Sequence, residues 1–167
     1  AGDHAAAAKA LRTFVLANAG WDRIPEANVL FGSELILAGE ISAGRNILDH
    51  SLEKNLPPTL AARAHYFRGK SFEAAGDYPA AILAYDMVLR RFSTHELAPE
   101  SALDQAILAE TVLQNNRRAD EILLAFVERY PKDARVARVR NHLAVLSERG
   151  VAAKGVAEPA EAVARYR

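Results

Sequence analysis

The sequence predicts an all-α chain made of helical hairpins stacked side by side, and three observations carry that expectation. Ala, Leu, Arg and Glu dominate, whereas β-branched clusters and alternating apolar-polar runs are almost absent. Those residues favour helix because they lose little rotamer freedom in it. Turn-forming residues punctuate the chain at Gly20, Pro25, Gly39, Pro57-Pro58, Gly76, Ser93 to Pro99, Asn115-Asn116, Pro131 and Gly150. They leave segments of about 12 to 17 residues, the length of ordinary globular helices. Finally, a pair of glycines seven residues apart, Gly32 and Gly39, recurs 37 residues later as Gly69 and Gly76.

Taken in order, helices are expected at 3–18, 25–38, 42–54, 59–75, 79–92, 98–114, 117–129, 133–149 and 156–165. The first carries Ala7, Leu11, Phe14 and Val15 at spacings of three and four after Gly2-Asp3-His4, which defines one apolar face. In the second and fourth, Gly32 and Gly69 lie mid-helix, where glycine costs about 1 kcal/mol relative to alanine unless close packing needs the space. Gly39 and Gly76 end those helices, where a left-handed residue closes a C-terminus. The third repeats the apolar face more weakly as Gly44, Leu48, Ser51 and Leu52. The fifth opens on Asp77-Tyr78-Pro79, with the proline in a first turn that tolerates its missing N–H, and presents Ala81, Tyr85, Val88, Leu89 and Phe92. The sixth runs from Pro99 to Gln114 with its register fixed to within one to three residues, and Asn115-Asn116 follows where a glycine is expected. The seventh repeats the face as Ala119, Leu123, Phe126, Val127 and Tyr130, 38 residues after the fifth. The eighth sets Val136, Val139, Leu143 and Leu146 opposite Arg135, Arg138 and His142. The ninth, after Gly150 and containing Gly155 and Pro159, is a short closing helix.

Aligned on Gly76, the segment from Ala62 to Phe92 resembles one tetratricopeptide repeat (TPR): Gly69 at the close-packing position of the first helix, Phe72 after it, then Gly76-Asp77-Tyr78, Ala81, Tyr85 and Val88. The units here run 37 to 39 residues against the family's usual length of about 34. His65 stands at the family's frequent tryptophan position and Ser93 at its closing proline. The resemblance implies a right-handed α-α superhelix, a TPR-like solenoid of about four helical hairpins. The array spans 1–150, with units of about 1–20, 25–56, 59–93, 98–131 and 133–165, and 151–167 serves as a capping helix or tail. On that alignment the first helix is the second helix of a repeat whose partner is missing, so the array is expected to begin before Ala1 in a longer protein. The face left uncovered also offers a route to self-association.

Composition narrows function. Twenty-one basic residues balance 21 acidic ones, so no global field favours nucleic acid or an anionic membrane. Absence of cysteine excludes disulfides, thiolate zinc sites and a cysteine nucleophile. No stretch approaches the roughly 18 apolar residues of a membrane span. His4, His50, His65, His95 and His142 never pair at the three- or four-residue spacing that sets two imidazoles on one helix face, so no metal site is expected. Gly69-Lys70-Ser71 looks like the end of a phosphate loop, but the upstream glycine is missing and the segment is mid-helix. Ser71 and Ser101 lack a nucleophile elbow. Aromatics make up 7% of the chain and lie mostly on core faces, which argues against a nucleic-acid platform. No catalytic group and no cofactor are expected. Trp21, outside the repeat pattern, either plugs a helix junction or anchors a partner.

What the resemblance implies is a recognition surface. The family's groove-facing positions fall on Arg63, Tyr66, Lys70 and Glu73, with Glu26, Val29, Ser33 and Ile36 as their counterparts one unit earlier; Arg135, Arg138 and His142 form a second stripe. A basic groove would take a protein or peptide partner of acidic character, while a solvated helix face is the plainer reading of the same charges. The Gly76 to Phe92 segment, the Ala98-Pro99-Glu100-Ser101-Ala102 start and Phe126-Val127-Glu128-Arg129-Tyr130-Pro131 are similar to bacterial envelope TPR proteins, among them lipoproteins of outer-membrane protein assembly and periplasmic coordinators of the Tol-Pal system. The function expected is therefore a non-enzymatic interaction scaffold in the periplasm or cell envelope. The alternative is an accessory or regulatory domain of a larger cytoplasmic enzyme or signalling protein.

Overall fold

A computed structural model describes the backbone of residues 2–153 and the side chains of residues 2–145. Among the described residues there are eight helices and no strand: α1 His4–Ala17, α2 Ile24–Leu37, α3 Ile41–Leu52, α4 Pro58–Ala74, α5 Tyr78–Arg91, α6 Ala98–Thr111, α7 Asn116–Arg129 and α8 Val136–Ala153. The helix expected at 156–165 and the side chain of Leu146 lie outside the described residues. Contacts divide the chain into two compact units, Ala1–Ser101 and Ala102–Arg167.

The helix ends follow from local chemistry. Asp3, Asp77 and Asn115 each stand at an N-cap and accept a hydrogen bond from the backbone N–H three residues on, that of Ala6, Ala80 and Arg118 respectively. Each satisfies one of the donors that a helix N-terminus leaves without an intrahelical partner. Gly39 and Gly76 take positive φ, 92° and 76°. At both, the glycine N–H reaches the carbonyl three residues back and the following N–H reaches the carbonyl five back, Glu40 to Leu35 at 2.8 Å and Asp77 to Phe72 at 2.9 Å. That is the Schellman closure.

Three boundaries differ from expectation, one of them the end of α8, which runs on through Gly150 to Ala153 instead of stopping at 149. The left-handed residue after α6 is Gln114, φ 50°, one position before the Asn115-Asn116 pair; Asn115 is the cap of α7 instead. The eighth helix starts at Val136 rather than at 133. Asp133 accepts hydrogen bonds from both the backbone N–H and the guanidinium of Arg135, at 2.9 Å each, and this local side-chain-to-backbone bond holds a turn where a helix would otherwise begin.

In the first unit, α2 packs on α3 and α4 on α5 through the mid-helix glycines. A Cβ on Gly44 would lie 2.6 Å from the carbonyl oxygen of Gly32 and 2.6 Å from Cγ1 of Ile36. One on Gly69 would lie 2.5 Å from Cε1 of Tyr85. Helix axes that approach this closely leave room only for hydrogen. Tyr85 is fully buried and joins Tyr66 and Phe67 in an aromatic cluster with centroids 5.2 and 5.9 Å apart. The second unit closes its core with Ala119, Ile122, Leu123 and Phe126 of α7 and Val136, Val139 and Leu143 of α8.

Candidate functional site

The polar residues singled out on α4 are organised by two carboxylates. Glu34, on α2, is approached by Nδ1 of His4 from α1 at 2.8 Å and by the guanidinium of Arg63 from α4 at 3.6 Å. Arg63 also donates to the buried hydroxyl of Ser33 at 3.2 Å and lies over the Phe67 ring at 4.9 Å. It therefore ties α2 to α4 with its stem on apolar surface, the arrangement expected when a guanidinium both pairs and stacks. Glu73 accepts the hydroxyl of Tyr85 at 2.7 Å and the ammonium of Lys70 at 3.1 Å. Lys70 and Glu73 remain about one-third exposed, at 33% and 30% of the side chain, so this pair keeps a solvent-facing side.

Tyr66 does not face a groove: it is buried in the aromatic cluster. Of the stripe's counterparts on α2, Val29, Ser33 and Ile36 are buried too, whereas Glu26 pairs with Arg23 at the start of the helix. The physical reason is that α2 and α4 are each packed by more than one neighbouring helix, α3 and α4 on α2, and α5 and α3 on α4, so the stripe chosen by alignment is partly interior.

In the second unit, Nε2 of His142 on α8 reaches Glu110 of α6 at 2.6 Å. Arg138 is exposed and, among the described residues, has no carboxylate within ion-pair distance. Arg135 is not on the helix with them. It belongs to the preceding turn, where its guanidinium pairs with Asp133 and sits 5.9 Å from the Phe126 ring centre. The Arg135 hydrogen bonds hold the Asp133 carboxyl below its usual range. The three residues thus divide into one structural cation, one histidine bound to a carboxylate and one exposed cation with no carboxylate beside it among the described residues.

Sequence reasoning passed over the partners that fix these groups. Glu34 and Glu110 lie about 30 residues from the histidines they hold, and no local spacing signals such a pair. His65, which stands at the family's tryptophan position, stacks on Phe92 with centroids 6.0 Å apart. Burial, reinforced by the nearby cations of Arg68 and Arg91, pushes its pKa down to about 4. Trp21 is 43% exposed and edge-on to Phe14 at 5.8 Å. A depression of about 520 Å³ lies beside Pro58, Arg91, Phe92 and His95. Among the described residues no group of three or more His, Asp or Glu side chains could hold a metal ion, and no helix is long and apolar enough to cross a membrane.

Neither a protein-family model nor a curated protein sequence matches this chain.

Proposed function

We propose that this chain is a TPR-like right-handed solenoid and a non-enzymatic scaffold that binds an acidic peptide or partner protein through its helical surface, in the setting of bacterial envelope assembly. One observation supports the reading above the rest. Glycines 37 residues apart do the same two jobs in successive hairpins, Gly32 and Gly69 at a helix crossing and Gly39 and Gly76 at a left-handed helix end. Hairpins related in this way are too small to bury their own faces and gain stability by stacking, and stacking presents extended surface to partners. The resemblance to envelope proteins supports the setting.

On this reading, recognition falls to the cations that stay most open to solvent. Arg63 and Arg135 are committed to Glu34 and Asp133, so a partner would have to compete with an existing ion pair. Lys70, although paired with Glu73, keeps about a third of its side chain in solvent, and Arg138 is exposed. Reversal of both, Lys70→Glu with Arg138→Glu, is expected to reduce capture of bacterial envelope proteins by the immobilised chain at least about fivefold, with an unchanged thermal midpoint, as for surface charges at a recognition rim. Undiminished capture by the double variant would sink the basic-surface reading.

A further inference from the structure

His65, Arg68 and Phe72 stand three and four residues apart on α4, so they share one stripe of the helix. That stripe lies roughly 140° to 160° round the axis from Arg63 and Lys70, on the other side of α4. Neighbouring helices bring guanidinium groups to it. Arg45 of α3 lies over the Phe72 ring at 5.0 Å, and Arg68 over the same ring at 5.1 Å. Arg91, the last residue of α5, acts together with Arg68 on the His65 imidazole, which stacks on Phe92. Three helices thus supply three guanidinium groups interleaved with aromatic rings.

Carboxylates do not match them in number. Among the described residues Asp49 alone comes within ion-pair distance of any of the three, and it pairs with Arg68 at 2.6 Å. Glu96 lines the same hollow as Arg91 but forms no ion pair with it. Arg91 is exposed and Arg45 half-exposed, so both are open to a ligand. A guanidinium held against a ring is already oriented and pairs with a carboxylate at less entropic cost. The rings themselves are taken, Phe72 by two guanidinium groups and Phe92 by His65. A nucleic acid draws affinity from bases stacked on free rings, and so gains little here beyond charge. His65 and Phe72 are two turns apart, about 10 Å, a length that about four residues of extended chain cover.

We propose that the face formed by Arg45, Arg68 and Arg91 docks a short acidic segment of a partner protein, whose carboxylates pair with Arg45 and Arg91 on either side of the Arg68–Asp49 pair. It stands apart from the surface of Lys70 and Arg138, and the two are told apart by which cations the binding needs.

The probe is a peptide of about six glutamates, labelled with fluorescein at its N-terminus and amidated at its C-terminus, titrated into the full chain at low ionic strength with anisotropy as the readout. Saturable binding is expected. Arg45→Gln with Arg91→Gln should weaken it at least about tenfold, as for loss of two charge-assisted pairs. Lys9→Gln with Arg12→Gln removes the same charge from exposed positions on α1 and should weaken it less than about twofold. Because Arg45 also packs on Phe72, Arg91→Gln alone serves as the second variant: an exposed substitution, it should weaken binding about threefold at an unchanged thermal midpoint. No saturable binding overturns the proposal, and so does equal weakening by the two double variants. A need for Lys70 and Arg138 in place of Arg45 and Arg91 overturns it by assigning acidic segments to the other surface. An oligothymidylate of equal charge that binds as tightly as the peptide overturns it by making the face a general polyanion site.

Discussion

At the residue scale the fold turns on atoms that are missing. Gly32, Gly44 and Gly69 have no Cβ where one would meet a neighbouring helix, and the three neighbours differ in how far they can yield. At Gly32 the closest atom is Cδ2 of Leu48 at 2.9 Å, the end of a flexible side chain, with the Gly44 carbonyl oxygen at 3.0 Å. At Gly44 the obstacle is the carbonyl oxygen of Gly32 itself at 2.6 Å, and a backbone atom moves only with its helix. Gly44→Ala should therefore destabilise more than Gly32→Ala. Overpacking costs about 1 to 3 kcal/mol, and the better helix propensity of alanine returns about 1 kcal/mol of it. A net loss of up to about 2 kcal/mol is expected for Gly44→Ala in urea unfolding, and a smaller one for Gly32→Ala. The reverse order would mean that the α2–α3 contact is looser than this geometry.

At the scale of elements, most of the helices were legible because local chemistry sets them. Periodicity gave their faces, Pro79 one of their starts and the αL glycines two of their ends. Legibility failed where a side chain outcompeted the helix or where a pair formed across distance. Asp133 takes the Arg135 N–H, so Arg135 leaves the stripe that its spacing to Arg138 and His142 implied. Tyr66 sits at a position that faces outward by alignment, but the aromatic cluster with Tyr85 and Phe67 draws it inside. The end of α6 is the third such case. The position that Gly39 and Gly76 hold in earlier hairpins falls on Gln114, which adopts φ 50° despite its side chain. A left-handed non-glycine residue is strained by roughly 1 to 2 kcal/mol, part of which glycine gives back through greater freedom in the unfolded chain. Gln114→Gly is thus expected to stabilise the protein by about 0.5 to 1 kcal/mol, measured as a raised urea midpoint at unchanged slope. A lowered midpoint would show that the Gln114 side chain makes a contact worth more than the backbone strain.

At the scale of the whole molecule, stability should carry the signature of one half-buried imidazole. His65 lies between α4 and the end of α5, stacked on Phe92, with Nδ1 buried and without a hydrogen-bond partner among the described residues. Desolvation disfavours its charged form, and the guanidinium groups of Arg68 and Arg91 add repulsion, so its pKa falls from the ordinary 6.5 to about 4 in the folded protein. Between those values the unfolded chain binds a proton that the folded chain refuses. Stability is therefore fully present above about pH 6.5, declines as the pH falls through that window, and stops declining on this account below about pH 4. The carboxyls held low by arginine partners, Glu26 by Arg23 and Asp133 by Arg135, release their contributions only at more acidic pH, which leaves the upper part of the window to the imidazole. His65→Phe keeps an aromatic ring against Phe92 and removes the titration. Urea midpoints at pH 7.5 and pH 4.5 should then converge for the variant while the parent protein loses stability at the lower value. Equal losses in both proteins would place the acid sensitivity elsewhere in the chain and leave His65 as packing alone.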